Sequence, residues 1–351
     1  MSIEDICRQF KLPYEHFNLS ILGEGLINDT YLISPLNTKN REKFVLQKIN
    51  KVVFNEPEKL MSNLIKINHH LEKQGSNCLQ LIESNDGNLY FIDEYDDYWR
   101  ITKYLENTRT LFAADEPIIA YEAAKSYGKF LKDIHELSIA EIYETIPGFH
   151  SYSNRISQFK KSIEADKKDR LKDCQKEKDL IFQKQKYIDT FYELNLPIRV
   201  IHSDTKLTNI LFDAESYQGR LVIDLDISMP GSILYDYGDM IRSFTNTLQE
   251  DDPNLSAIDV KLDIFENITK GFLESTKSFI CDKESENLLL GAKLVVLIQA
   301  IRNLTDYLLG DVYYKINYED HNLHRAQNQL TLLQALEYHE NTLQKMINKY
   351  R

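Results

Sequence analysis

The most informative part of the 351-residue chain is residues 201–231, IHSDTKLTNILFDAESYQGRLVIDLDISMPG. A polar loop, His202–Asn209, precedes two short apolar segments, Ile210–Phe212 and Leu221–Ile223, which are predicted to be strands. The turn-forming residues between them predict an antiparallel hairpin. The second strand delivers Asp224 to the end of the hairpin at which the polar loop enters. Because the flanking sequence is helical in pattern, we expect the chemistry of the protein in this β insert.

Asn209 and Asp224 are equally far from the centre of the turn. In an antiparallel hairpin, residues so placed lie opposite one another, and Asp204 lies on the loop at the same end. An amide oxygen beside two carboxylates suits Mg²⁺, which prefers hard oxygen ligands, water and substrate phosphate. The alternative is an ordinary hairpin with capping Asp and Asn residues, but the ordered set favours the metal site.

Composition excludes several classes of protein. The chain has 42 basic and 54 acidic residues and a net charge of −12, which argues against nucleic-acid binding but not against a nucleotide pocket. Four distant cysteines without a CxxC pair predict free thiols rather than disulfides or zinc. The N-terminus has no signal-peptide pattern, and the longest apolar stretch, Leu288–Ile301, predicts a buried helix. A cytoplasmic protein with no membrane association is therefore expected.

The wider sequence predicts an α+β fold with two lobes. The first hundred residues alternate short strand patterns with one helix, Glu56–Lys73, whereas helical spacing dominates from Glu116 onward and includes a long charged stretch, Ser153–Leu194. We expect a small β-rich N-terminal lobe (1–103) and a larger, mostly helical C-terminal lobe (104–351). The N-terminal strands are predicted at Leu19–Leu22, Thr30–Ser34, Lys43–Ile49, Leu79–Glu83, Leu89–Ile92 and Tyr98–Tyr104.

The polar loop resembles a known family. Residues 202–209, HSDTKLTN, match the kinase catalytic-loop pattern HxDxKxxN, and Asp224-Leu225-Asp226 stands where kinases carry the metal-binding Asp-Phe-Gly. The chain resembles the aminoglycoside phosphotransferase/choline kinase superfamily, which implies small-molecule kinase activity on a bilobal protein-kinase-like fold. Within it, the run IDLDISMPGSILYDYGDMIR is similar to the bacterial N-acetylhexosamine 1-kinases. Three further segments support that similarity: Gly23–Leu32, Phe44–Asn50 and Arg302–Lys315.

The resemblance implies roles for the loop and hairpin residues. Asp204 would be the catalytic base or orient the substrate hydroxyl, and Lys206 would reach the transferred phosphate. Asn209 and Asp224 would hold Mg²⁺ on the nucleotide phosphates, with Asp226 assisting. His202 and Asp236 would organise the loop rather than take part in the reaction.

The nucleotide site is expected in the N-terminal lobe and at the hinge. Gly23, Gly25 and Asn28 lie between two predicted strands, where glycines let backbone amides approach phosphate; taken alone, the same pattern would be a simple hairpin turn. The hinge between the two lobes is predicted near Lys103–Asn107. Lys103 and Leu105 lie in this hinge and are expected to contact ATP.

Gln47 occupies the position at which kinases carry a phosphate-binding lysine. Lys48 follows it, but strand alternation directs its side chain to the opposite face, unless a bulge brings it inward. We therefore predict Gln47 as the nucleotide contact and Lys48 as a solvated lysine. Glu58 and Glu72 are both candidates for the glutamate that pairs with the kinase lysine.

The resemblance implies that Arg302 and Tyr313 bind the acceptor through hydrogen bonds. The alternative is that neither binds it, and that Arg302 is a surface arginine and Tyr313 a core tyrosine. Leu26 stands where these kinases often have a His that faces the sugar, and this difference leaves the identity of the sugar open. The expected function is ATP- and Mg²⁺-dependent phosphorylation of the anomeric hydroxyl of an N-acetylhexosamine or related sugar. The alternatives are a kinase of another hydroxyl (an amino alcohol, an aminoglycoside or protein Ser/Thr) and a nucleotide-binding pseudokinase that serves as a scaffold.

Overall fold

In a computed structural model, which describes residues 1–23, 27–36 and 42–351, the N-terminal region is built on an antiparallel sheet. Its strand order is β1-β2-β3-β5-β4. One face carries Phe44, Leu46 and Trp99, which are buried against the N-terminal helix α1 (Ile3–Cys7). The opposite face looks towards the C-terminal region. The strands are β1 Phe17–Ile21, β2 Asp29–Pro35, β3 Phe44–Lys48, β4 Phe91–Ile92 and β5 Tyr98–Lys103.

Helix α2 (Pro57–Lys73) follows the sheet and confirms the predicted periodicity. Proline occupies its first turn, where a missing amide proton costs nothing. The apolar positions predicted at helical spacing are all buried, including Leu60, Leu64 and Ile67. The strand predicted at Leu79–Glu83 is wrong, since only an isolated bridge from Leu81 to Thr102 forms there.

The C-terminal region is mostly helical, as predicted. The charged stretch from residue 153 to 194 divides into three helices. The first break lies at Asp166 and Asp169, whose positive φ angles of 29° and 55° a helix cannot continue through, and the second lies at Gln185. The helices are α3 Pro117–Ile134, α4 Tyr152–Ala165, α5 Gln175–Lys184, α6 Lys186–Leu194, α7 Ile233–Phe244, α8 Leu262–Thr276, α9 Asp282–Glu286, α10 Leu288–Leu309, α11 His321–Tyr338 and α12 Glu340–Tyr350.

Helix α10 is the central helix of this region, and its prediction as a buried helix is confirmed. Within the described residues it is also long and apolar enough to cross a membrane, but 78% of its apolar 18-residue window is buried inside the protein. Burial of that extent is typical of a core helix. Helix α7 crosses α10 at two glycines: a Cβ added to Gly238 would lie 2.4 Å from the carbonyl oxygen of Gly291. No larger residue fits at this crossing without moving the helices apart.

The hairpin predicted between the helices is present, with a different register. Its strands are β8 (Ile210–Asp213) and β9 (Gly219–Val222), and a bulge lies between Leu211 and Phe212. The turn is centred one residue earlier than predicted, because the Asp213 amide donates to the Gln218 carbonyl, and the extra residue of the bulge makes up only half of the resulting shift. Asn209 therefore pairs with Ile223, whose amide donates to the Asn209 carbonyl at 2.9 Å, and not with Asp224 as symmetry suggested. Two short pairs flank the hairpin: β6 (Thr108–Arg109) joins β8, and β7 (Arg199–Ile201) joins β10 (Met229–Gly231).

Candidate active site

The loop at residues 202–209 is held in place by the start of α7. Both carboxylate oxygens of Asp236 accept backbone amide protons, one from His202 and one from Ser203, each at 2.8 Å. Asp239 accepts from the amide of Thr205 at 2.9 Å. Burial raises the pKa of Asp236 to about 7, while the two amide donors act in the opposite direction. The loop-organising role expected of Asp236 matches these contacts.

His202 ties the loop to the hairpin. Its Nδ1 accepts the amide proton of Asp204 at 3.2 Å, so its Nε2 carries the proton and donates to the carbonyl of Ile223 at 2.9 Å. Burial lowers the pKa of the ring, which packs edge-on against Tyr127 and Phe130. A neutral, fully engaged imidazole fits the structural role predicted for His202.

Asp204 presents an ionised carboxylate at the mouth of the loop. The ammonium of Lys206 lies 2.8 Å from one of its oxygens, and the amide of Asn209 donates to the other at 3.0 Å. Burial works against ionisation most strongly, but Lys206 and the Asn209 hydrogen bond together hold the pKa of Asp204 below its ordinary value. Such a group can accept a hydrogen bond from a substrate hydroxyl.

Asp224 lies at the end of β9 in a left-handed conformation, with φ of 61°. Burial, followed by the neighbouring carboxylates of Asp226 and Asp204, raises its pKa to about 7. A cation would relieve this crowding of negative charge, so the site fits a divalent ion. Among the described residues, no three His, Cys, Asp or Glu side chains converge to hold a metal unaided. A cation here would therefore also need the Asn209 amide oxygen, water or phosphate.

Asp226 has partners that the sequence did not suggest. Both of its oxygens bind the guanidinium of Arg100, at 2.6 and 2.9 Å, and one also accepts from the amide of Asn28 at 2.7 Å. The side chains of Arg100 and Asp226 are only 4% and 3% exposed. The structure thus gives Asp226 an ion-pair role between the sheet and the hairpin, and its role as a metal ligand stays a prediction.

Arg100 is the site residue that sequence reasoning missed. It lies on β5 directly opposite Gln47 of β3, and its Nε donates to the Gln47 side-chain oxygen at 3.0 Å. The sequence does contain an arginine in a strand pattern, but only the pairing register of β3 with β5 reveals what it faces.

The orientation predicted for β3 is confirmed. Gln47 faces Arg100, whereas Lys48 lies on the opposite face, where it pairs with Asp97 and sits 5.5 Å from the centre of the Trp99 ring. Neither candidate glutamate on α2 has an ion-pair partner among the described residues: Glu58 accepts from the Tyr98 phenol at 2.9 Å, and Glu72 lies near the Cys78 thiol.

The other predicted nucleotide contacts are only partly described. Gly23 has φ of +72° and open space around the position of an added Cβ, whereas Gly25 and Leu26 lie outside the described residues. At the expected hinge, the amide of Lys103 donates to the carbonyl of Gln80, and the Thr108 hydroxyl donates to the carbonyl of Leu105 at 2.7 Å. These contacts fix the backbone at the end of β5.

The residues expected to bind the acceptor lie on α10 and just beyond it. The Arg302 guanidinium lies 5.4 Å from the centre of the Phe149 ring and 5.6 Å from that of Tyr314. Tyr313 is 63% exposed and packs edge-on against Tyr314, so it is not the core tyrosine of the alternative interpretation.

The segment before α4 also approaches the catalytic loop, which no sequence signal indicated. His150 Nε2 lies 2.9 Å from the hydroxyl of Ser203, the residue before Asp204. Its ring packs edge-on against Tyr235 at 4.5 Å. One region next to Asp204 is thus surrounded by residues of α7, α10, the 149–155 segment and the catalytic loop.

Comparison with known structures shows that the fold recurs in several kinases. An amicoumacin kinase in complex with AMP-PNP and Ca²⁺ matches with a TM-score of 0.64 and 11% identity, over 94% of this chain and 92% of that one. A microcompartment-associated aminopropanol kinase matches with a TM-score of 0.61 and 12% identity, over 97% of each chain. A choline/ethanolamine kinase family protein from Mesorhizobium loti matches with a TM-score of 0.58 and 13% identity, over 99% of each.

At these identities the similar structures establish the fold, and they confirm the bilobal α+β class predicted from the sequence. The family itself comes from the sequence. The family model described as "Phosphotransferase enzyme family" matches residues 18–255, which include the sheet, the catalytic loop and the hairpin. The chain therefore belongs to the phosphotransferase enzyme family.

Proposed function

We propose that the protein transfers the γ-phosphate of ATP to a hydroxyl group of a small molecule, and that this hydroxyl is the anomeric one of an N-acetylhexosamine or related sugar. The observation that carries the proposal is the Asp204 carboxylate, kept ionised by Lys206 and Asn209 near the carboxylate of Asp224. The sugar rests on the similarity of residues 223–242 to the N-acetylhexosamine 1-kinases.

In the proposed reaction, Asp204 orients the acceptor hydroxyl and takes its proton. The hydroxyl oxygen forms a bond to the γ-phosphorus as the bond between that phosphorus and the ADP oxygen breaks. Lys206 neutralises charge on the transferred group, because its ammonium already lies at the Asp204 carboxylate. Asn209 and Asp224 would hold Mg²⁺, which when bound neutralises the phosphate charge.

The nucleotide is proposed to lie between the sheet and the hairpin, with Gly23, Gly25 and Asn28 at the phosphates, Gln47 beside them, and Lys103 and Leu105 at the base. The end of β5 at Lys103 supports a lobe boundary at residues 103 and 104. A cytoplasmic location is part of the same proposal. ATP and a divalent cation are supported by the AMP-PNP and Ca²⁺ bound in the amicoumacin kinase.

A second candidate is a kinase of another alcohol. The similar structures are described as kinases of aminopropanol and amicoumacin and as a choline/ethanolamine kinase family protein. The same base and metal site would serve such acceptors, so only the acceptor pocket separates the two candidates.

The test is ADP release from Mg-ATP with a panel of sugars and amino alcohols, followed by NMR of the product. A phosphate on C1 of a sugar supports the proposal, and phosphorylation of an amino alcohol alone supports the second candidate. Asp204→Asn is the matched control: it should retain AMP-PNP binding and lose phosphoryl transfer by about 10²- to 10⁴-fold. Undiminished turnover by this variant would exclude Asp204 as the base.

A further inference from the structure

Two arginines approach the same aromatic ring beside the catalytic loop. The guanidinium carbons of Arg155 on α4 and Arg302 on α10 lie 5.7 and 5.4 Å from the centre of the Phe149 ring. Both side chains are partly buried. Two like charges so close repel each other, and burial together with Arg302 lowers the pKa of Arg155.

Neither arginine has a counterion in the part of the chain that the structure describes. Arg155 donates to the Gln158 amide oxygen at 3.1 Å and to the Phe149 carbonyl at 3.5 Å, and its buried Nε has no hydrogen-bond partner among the same residues. Arg302 donates to the Gln299 amide oxygen at 3.2 Å. Within the described residues, no carboxylate lies within 4 Å of either guanidinium. Other buried or half-buried arginines do contact carboxylates: Arg100, Arg170, Arg199 and Arg242.

Unpaired cations in a partly buried site cost free energy, and such arrangements are retained where a ligand relieves the cost. Guanidinium groups offer planar pairs of donors that match carboxylate and phosphate oxygens. An ammonium acceptor would instead add a third positive charge to the pair.

The pair lies next to the reacting groups. Phe149, whose ring both guanidiniums approach, is followed by His150, which contacts Ser203, and Ser203 precedes Asp204. The Nδ1 atom of His150 is buried and has no hydrogen-bond partner within residues 1–23, 27–36 and 42–351, which leaves a second unused polar group in the same region. Burial and the two arginines lower the pKa of His150 to about 3, so the ring is neutral and the positive charge comes from the arginines.

We propose that the acceptor carries an anionic group, a carboxylate or a phosphate ester, that binds between Arg155 and Arg302 while its reacting hydroxyl faces Asp204. This inference rests on the proposed function in one respect, since Asp204 marks where the hydroxyl reacts. It sets the acceptor apart from the amines for which the similar structures are named. A uronic acid and a phosphorylated hexosamine share the required chemistry.

The test compares acceptors that differ in charge. N-acetylglucosamine is paired with its 6-phosphate, and glucose with glucuronate and glucosamine; D-glycerate is the anionic alcohol that is not a sugar. We expect kcat/KM to be about tenfold or more higher for the anionic member of each pair, mainly through KM, and lowest for glucosamine.

Three variants locate the effect. Arg155→Gln and Arg302→Gln keep hydrogen-bonding capacity without charge, and each should remove most of the preference for the anion while KM for ATP is unchanged. Arg302→Lys, which keeps the charge, should retain part of the preference. Arg8→Gln, at an exposed arginine on the N-terminal segment, is the control and should change neither. Thermal unfolding verifies that each variant is folded.

The outcomes separate this inference from the proposed function. Turnover of D-glycerate but of no sugar would overturn the sugar proposal and support the anionic acceptor. Turnover of N-acetylglucosamine with kcat/KM equal to or above that of its 6-phosphate would overturn the anionic acceptor and support the sugar kinase. If no compound is turned over, calorimetric titration of glucuronate decides: equal binding to the wild type and to Arg155→Gln overturns the inference, and weaker binding to the variant supports it.

Discussion

Arg100 of strand β5 and Asp226 of the turn after the hairpin form a two-point ion pair that is almost fully buried between the sheet and the catalytic loop. Asn28 donates to the same carboxylate, and Gln47 accepts from the same guanidinium. Where kinases use a lysine on the third strand, this chain has a glutamine whose neighbour on the next strand supplies the positive charge. The pair therefore links the predicted nucleotide site to Asp224 through side chains of both regions.

Replacing Arg100 should destabilise the protein strongly. Arg100→Met leaves the Asp226 carboxylate buried without its cation, and we expect the free energy of unfolding to fall by about 3–5 kcal/mol in urea denaturation. Lys48→Met is the control on the adjacent strand, because its pair with Asp97 is partly exposed, and it should cost about 1 kcal/mol or less. The double variant Arg100→Met/Asp226→Leu should recover much of the loss; additive losses would contradict the account.

Gln47→Ala should weaken nucleotide binding more than Lys48→Ala. Gln47 lies on the face of β3 that carries Arg100, whereas Lys48 lies on the other face beside Trp99. Loss of one hydrogen-bonding group predicts about five- to tenfold weaker binding of AMP-PNP for Gln47→Ala, measured by calorimetric titration. The opposite order of affinities would place the nucleotide away from this face.

Asp236→Asn should unfold the catalytic loop locally and reduce kcat. Both carboxylate oxygens accept amide protons, so an asparagine would point its NH₂ group at a backbone N–H. We expect a loss of about 2–4 kcal/mol in the free energy of unfolding. Asp213→Asn is the matched control, since Asp213 also accepts two backbone amides but in a more exposed turn. Equal losses in the free energy of unfolding at the two positions would show that Asp236 stabilises the protein no more than an aspartate in an exposed turn.

His150 should make stability depend on pH in mildly acidic solution. Its pKa in the folded protein is about 3, below the ordinary value of 6.5, so below pH 6.5 the unfolded chain binds a proton that the folded protein does not. The contribution of His150 is therefore complete above pH 6.5 and falls as the pH drops towards 3. Between pH 7.5 and 5, the wild type should lose up to about 2 kcal/mol more than His150→Gln. Parallel pH curves for the two proteins would refute this.

The parts of the molecule that the sequence predicts are those with local causes. The catalytic loop and the hairpin follow from a motif and a turn within 25 residues, and α2 follows from apolar residues at helical spacing. The facing direction of Gln47 follows from the two-residue repeat of a strand. In each case the signal lies inside the element it describes.

What sequence reasoning missed depends on contacts between distant elements. The partnership of Arg100 with Asp226 spans 126 positions and needs the register of β5 against β3. The approach of His150 to the catalytic loop needs the packing of the segment before α4, which carries no motif. The partner of Asn209 differs from the predicted one by one residue, because pairing by symmetry assumes a regular ladder and a turn centred where the polar residues are, whereas the turn is centred one residue earlier and a bulge follows it.

The crossing of α7 and α10 at Gly238 and Gly291 limits the length of the proposed acceptor. Asp236, in the first turn of α7, anchors the catalytic loop, and α10 carries Arg302, which is proposed to bind the far end of the acceptor. Two backbones in direct contact leave the separation of these groups no room to vary. The backbone thus limits how far the reacting hydroxyl of the proposed acceptor can lie from the other end of the same molecule. In the proposed site, the side chains at positions 155 and 302 determine the charge of the acceptor, and substitutions at those two positions should change that preference without changing the length that the backbone allows.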